Sequence, residues 1–218
     1  MVDIKAMSRP VLIISLILLQ VSSGALFGGE RWSFSWAFLH KSRDGQVSSL
    51  DFEAEQPVSE GELLRLYLEL HDGAFVYLYL FDSQADLYLV FPPSVGFYSG
   101  EIPTGYQSYI PPGRKWFTLD GLKGTERFYL LASGERLIEL ERLTETFLGD
   151  GNRELQARLL AKLAETADRL SGAASYEVDR IPIPAVAAGT GADSAEYVNA
   201  HKISAIGGYG RVLDLVNK

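Results

Sequence analysis

Few residues of this chain could carry chemistry. Histidine occurs only at His40, His71 and His201, each isolated in sequence, and none forms an HExxH pair or the short His/Asp/Glu spacing of a metal site. Cysteine is absent, which removes a thiolate nucleophile, a disulfide framework and cysteine metal ligation. No serine stands in a GxSxG elbow. His71 and Asp72 could be paired with Asp82 and Asp86 as an acid and base, but the turns HDG and DSQAD close opposite ends of the strand between them. That places the two sets ~25 Å apart at the rise of a strand. Asp82 and Asp86 alone offer fewer oxygens than a hard cation takes. The glycines at Gly189 to Gly191 and Gly207 to Gly210 lack the lysine and hydroxyl of a P-loop and read as turns. No catalytic residue, metal or cofactor is assigned. If the chain is an enzyme, it is a hydrolase whose groups meet only in space, with His201 and Asp214 the first pair to inspect.

Binding chemistry is better represented. Tyr98, Tyr106, Tyr109, Trp116 and Phe117 fall in a stretch broken by Pro103, Pro111 and Pro112. Aromatic side chains on rigid loops can stack on sugars or dock a protein, and they can equally plug the end of a β core. These five are the candidate binding residues. The 20 Lys and Arg against 28 Asp and Glu, for a formal charge of -8, leave no basic footprint for nucleic acid.

The elements that must position these residues are mostly strands. Glu60 to Pro93 holds three apolar runs separated by turn compositions, which reads as an antiparallel meander. In the first run Leu64, Leu66, Leu68 and Leu70 share one face. The second, Phe75 to Phe81, is apolar on both sides and predicts a strand covered on both faces. Phe91, Pro92 and Pro93 end the third. Before them, Trp32, Phe34, Trp36 and Phe38 alternate with small residues, giving a strand with an aromatic core face. Later strands are expected over Gly105 to Ile110, Lys115 to Leu119 and Glu126 to Ala132. With seven or eight strands, the fold class is mainly β: an antiparallel β-sandwich or partly closed barrel.

Two appended helices follow. The first is expected over Glu135 to Phe147; the second, capped by Asp150 or Asn152, runs to about Leu170 with Leu155, Leu159, Leu163 and Leu170 on one side. An edge strand over Tyr176 to Ile183, a Gly/Ala-rich loop and two short strands around GGYG complete the tail.

At the other end, Lys5 and Arg9 precede the apolar Val11 to Leu19 and the small residues Ser22 to Gly24, the order of a secretory signal. That segment would engage the membrane during export, and the protein would work in the periplasm or outside the cell. The domain reading is a signal peptide over 1–24, a β domain over 25–147 that includes the first helix, and a helix with an irregular extension over 148–218 packed on the same domain.

The stretch from about Val58 to Ala132 resembles the bacterial domain of unknown function DUF4384. The resemblance lies in SEGELLRLYLEL with Gly61, in DGAFVYLYLFDSQADLYLVFPP with Asp72, Gly73, Tyr77, Tyr79 and the Phe91-Pro92 corner, in GEIPTGYQSYIPPG, and in GTERFYLLAS with Gly124, Thr125 and Glu126. It implies a mostly β module of exported proteins, appended elsewhere to protease-like or kinase-like proteins, with no catalytic role in its own residues. The expected function is therefore a non-catalytic exported module that binds a protein or glycan partner in the cell envelope. A hydrolase is the alternative.

Overall fold

The computed structural model describes residues 30–53, 56–119, 122–172, 175–185 and 197–217 of the 218-residue chain. The proposed export segment and most of the Gly/Ala-rich loop lie outside the described residues. The strands are β1 (Trp32–Lys41), β2 (Val47–Leu50), β3 (Gln56–Val58), β4 (Leu63–Leu70), β5 (Phe75–Phe81), β6 (Leu87–Phe91), β7 (Tyr106–Ile110), β8 (Phe117–Thr118), β9 (Gly124–Ser133), β10 (Ser175–Pro184), β11 (Tyr197–Ile206) and β12 (Gly208–Asn217). The helices are α1 (Ile138–Asp150) and α2 (Arg153–Gly172), and a 3-10 turn spans Val95–Ser99.

Two sheets face one another in an unclosed, sandwich-like arrangement. The first runs β10-β11-β1-β4-β7, with β2 paired to β1 and β8 to β4; the second runs β3-β12-β9-β5-β6. The pairs are antiparallel except β3 with β12, which is parallel. The core between the sheets is built by alternation: Trp32, Phe34, Trp36 and Phe38 of β1 and Leu64, Leu66, Leu68 and Leu70 of β4 all point into it and are buried.

The expected meander is corrected. β4 lies in the first sheet and β5 in the second, so the His71–Ala74 link crosses the sandwich instead of closing a hairpin. Backbone bonds from Ser33 N to Asp72 O and from His71 N to Ser33 O fix the crossing, and Gly73 takes φ 61° within it. Alternation tells which face of a strand is dry, and both faces of β5 are dry whichever partner it has. β5 is covered on both sides, as its sequence predicts. Val76 and Leu78 face the core, while Tyr77 and Tyr79 turn outward beneath α1 and hydrogen-bond Glu141 (2.6 Å) and Thr144 (2.8 Å).

The helices follow the sequence closely. Gly151, at φ 60°, donates its N–H to Phe147 O and ends α1, and the Asn152 side chain accepts the Leu155 N–H at 2.8 Å to start α2. Leu155, Leu159, Leu163 and Leu170 form the buried stripe of α2, which lies on β12 and β9.

The C-terminal region is more regular than its sequence suggests. The expected irregular extension holds three strands of ten residues each, and β11 and β12 occupy interior positions of the two sheets. GGYG is not a turn throughout. Gly207 alone, at φ 92°, makes the turn, while Gly208 and Gly210 sit inside β12 where α2 crosses it. A Cβ on Gly210 would stand 3.0 Å from the C and Cα of Ala167, so these glycines are there for close approach of the helix.

Candidate functional site

The titratable groups do not converge on one centre. His40 Nε2 lies 2.9 Å from Glu62 Oε2. His201 on β11 stacks on Trp36, centroids 4.5 Å apart, and is buried. Its expected partner Asp214 belongs to β12 in the other sheet and is held by Arg127 through two 2.8 Å hydrogen bonds. Loss of solvent, then Arg180 and Arg211, push the His201 ring below its ordinary pKa.

One arrangement invisible in the sequence does form. Ser35 Oγ lies 2.8 Å from His71 Nε2, and His71 Nδ1 lies 3.9 Å from Glu69 Oε1, a Ser/His/Glu order on the outer face of the first sheet. It lacks what a nucleophile needs. Ser35 is 0% exposed in mid-strand, and the Glu69 oxygens are taken by the Tyr67 hydroxyl (2.6 Å) and the Gln107 amide (3.1 Å). The cluster satisfies polar groups on the outer face of the first sheet. Asp82 is likewise local: Oδ1 accepts the N–H groups of Gln84 (3.0 Å) and Asp86 (2.8 Å) and braces its turn. Among the described residues, no group of three or more His, Asp or Glu is placed to hold a metal ion.

The five candidate aromatics are dispersed over three places. Tyr98 is buried, its hydroxyl donating to Val76 O (2.6 Å) and accepting from Val76 N (2.8 Å), and it packs on Phe75, Tyr77 and Phe97. Tyr106 packs against Phe91 and Phe97 at the same edge of the core. Tyr109 and Trp116 flank Arg65 on the outer face of the first sheet, with ring centroids 4.4 and 5.8 Å from the guanidinium carbon. Tyr109 also donates its hydroxyl to Pro184 O at 2.9 Å. Arg65 is 0% exposed; Nη2 reaches Gly113 O, while Nε and Nη1 have no hydrogen-bond partner among the described residues. The Pro111–Trp116 excursion thus serves as a cover over a buried cation. Phe117 stands apart, on the core side of β8, and is 45% exposed.

Phe117 lines a large concavity. A cleft of about 510 Å³ opens between the two sheets, lined by residues of all five strands of the second sheet, from Val58 of β3 to Val90 of β6, and by Leu64 of β4, Ile110 of β7 and β8 of the first. Its apolar walls include Leu64, Leu80, Val90, Ile110, Phe128 and Leu215, and its rim carries Asp82, Ser83, Gln84, Glu126 and Asn217. The size and the mix of apolar wall with few polar groups are those of a ligand pocket. No closed catalytic pocket is evident beside it among the described residues. Sequence reasoning missed the cleft because its walls read as ordinary core positions. The available signal was proline: Pro92 and Pro93 end β6, and Pro111 with Pro112 separates β7 from β8, both of which pair with β4, which marks these strands as edges.

The fold and the cleft define a β-sandwich-like module with two docked helices and one uncovered side. Residues 58–136 match the model of the family described as Domain of unknown function (DUF4384), so the chain contains that domain over this region. No protein of curated function and no solved structure matches the chain.

Proposed function

We propose that this chain is a non-catalytic, exported binding module of the cell envelope and that its ligand is a protein whose apolar side chains enter the cleft between β6 and β8. The observation carrying the reading is the cleft itself: about 510 Å³ of mostly apolar wall, with Tyr88 and Phe117 half exposed at its mouth. Keeping such a surface wet costs free energy that a bound apolar group returns. A glycan is the poorer fit, since sugar hydroxyls need more donors and acceptors than these walls hold. Export rests on the order of Lys5, Arg9, Val11 to Leu19 and Ser22 to Gly24. The hydrolase alternative loses its support with His201 and Asp214 in separate sheets.

An uncharged apolar dye, N-phenyl-1-naphthylamine, tests the cleft by its fluorescence on binding. Saturable binding by the wild type is expected, weakened about tenfold in a Val90→Asn, Phe117→Ser double variant that melts as the wild type does. Tyr176→Ser, on the exposed edge strand β10, should leave it unchanged. No saturable binding by the wild type, or equal binding by all three proteins, overturns the reading.

A further inference from the structure

The cleft has features that a pocket for a compact small molecule does not require. Tyr88, Leu89 and Val90 are consecutive in β6, yet all three line it. Neighbouring side chains in a strand point to opposite faces, so three in a row can border one space only if the strand's edge, with its backbone groups, forms part of the wall. Across the cleft, Phe117 and Thr118 of β8 and the following Leu119 also line it. Neither edge is capped among the described residues: there β6 pairs only with β5, and β7 and β8 pair only with β4. The cleft runs beneath the second sheet from β3 to β6, and at its β6 end it borders a strand edge left unpaired among the described residues; such edges recruit extended chains.

The charge at the rim has one sign. The charged lining residues are Asp82 and Glu126, and neither has an ion-pair partner among the described residues. Nearby Asp86 reaches Arg153 only at 3.9 Å, and Arg127 is committed to Asp214. The Tyr88 phenol feels this field: loss of solvent, then Asp82, Asp86 and Glu126, push its pKa up. A second copy of this chain, with a net charge of -8, would meet the rim with the wrong overall sign.

We infer that the cleft receives an extended segment of a basic partner protein, which adds a strand to the free edge of β6, turns alternate apolar side chains into the cleft and places lysine or arginine against Asp82 and Glu126. The inference rests on the cleft being the ligand site. Backbone pairing with β6 sets the register of the segment, the apolar wall takes every second residue, and the acidic rim selects the charge of the residues between.

Three synthetic peptides of about seven residues, long enough to span a five-residue strand, test it by calorimetry and by displacement of the naphthylamine dye. One alternates valine with lysine, one alternates valine with glutamate, and one repeats the first with N-methylated amides on the edge-pairing side. The lysine peptide should bind, the glutamate peptide about tenfold more weakly, and the difference should shrink in the Asp82→Asn, Glu126→Gln variant and at high salt. Asparagine keeps the acceptor that braces the turn, so that variant retains its fold. The N-methylated peptide should lose binding. Equal binding of the lysine and glutamate peptides overturns the charge selection, and equal binding of the methylated peptide overturns strand addition. Dye binding without any peptide binding overturns the inference and leaves the cleft reading standing; absence of both overturns the two together.

Discussion

Substituting Gly210 by alanine tests the packing of α2 on the second sheet. The added Cβ would lie 3.0 Å from both the C and Cα of Ala167 and closer still to its carbonyl oxygen. Ordinary contact begins near 3.4 Å, and the obstructing atoms are helix backbone, which has no rotamer to change. The helix must therefore withdraw by on the order of 0.5–1 Å, which forfeits a quarter to a half of the dispersion attraction across the gap. That loosens Leu159, Leu163 and Leu170, which belong to the buried stripe of α2. Overpacking costs about 1–3 kcal/mol, and a rigid neighbour puts Gly210→Ala at the upper end. At about 2–4 °C per kcal/mol for a domain of this size, Tm should fall by roughly 6–12 °C. Gly149→Ala is the control: it sits in the last turn of α1, where among the described residues nothing beyond its own helix backbone and chain neighbours comes within 4 Å of an added Cβ, and helix propensity makes alanine neutral or better by up to ~1 kcal/mol. Urea titration and thermal melting by circular dichroism measure both. A Gly210→Ala protein that melts with the wild type, or a Gly149→Ala protein equally destabilised, would refute the close approach of α2 to β12.

His201 gives a pH prediction with a definite sign. Its ring lies against Trp36, and burial, Arg180 and Arg211 lower its pKa in the fold against the smaller opposing pull of Asp51 and Glu53. The unfolded chain then binds this proton at a higher pH than the native one. Its stabilising contribution is full above about pH 6.5 and is lost as pH falls toward the depressed native value. Urea denaturation should show a shallower loss between about pH 7 and pH 5 for His201→Phe than for the wild type; parallel curves would count against a buried neutral ring. For export, the mass of the protein recovered from the envelope fraction should lack residues 1–24. A full-length form starting at Met1 and confined to the cytoplasm would sink that proposal.

Much of the fold was legible because local pattern reports burial. The aromatic face of β1, the two-sided apolar run of β5 and the leucine stripe of α2 each state what covers them, and each is covered in that way. Pairing is not a local property. Nothing in Leu63–Leu70 distinguishes a neighbour in the same sheet from one across the sandwich, so β4 and β5 read as a hairpin although they lie in different sheets. Glycine was ambiguous for a related reason: GGYG serves a turn at Gly207 and a helix contact at Gly208 and Gly210. The candidate aromatics failed to gather because proline-rich segments need not display their side chains. Tyr98 and Tyr106 return to the core, and Tyr109 and Trp116 close over Arg65.

The cleft joins these two kinds of legibility. Its walls are core residues by type, and at the β6 side they border strand edges that no described strand continues. All of its lining residues except Leu215 and Asn217 fall within residues 58–136, the stretch that matches the family model. That stretch supplies both free edges, β6 and β7 with β8, and the acidic rim. It does not close its own core: β9 needs β12 on its far side, and β4 needs β1. Position and charge of the cleft thus belong to the domain, while Leu215 of β12 forms part of its inner end from the flanking sequence. Affinity for an inserted strand should follow the domain residues, and depth of the apolar wall should follow what the rest of the chain places beside β9.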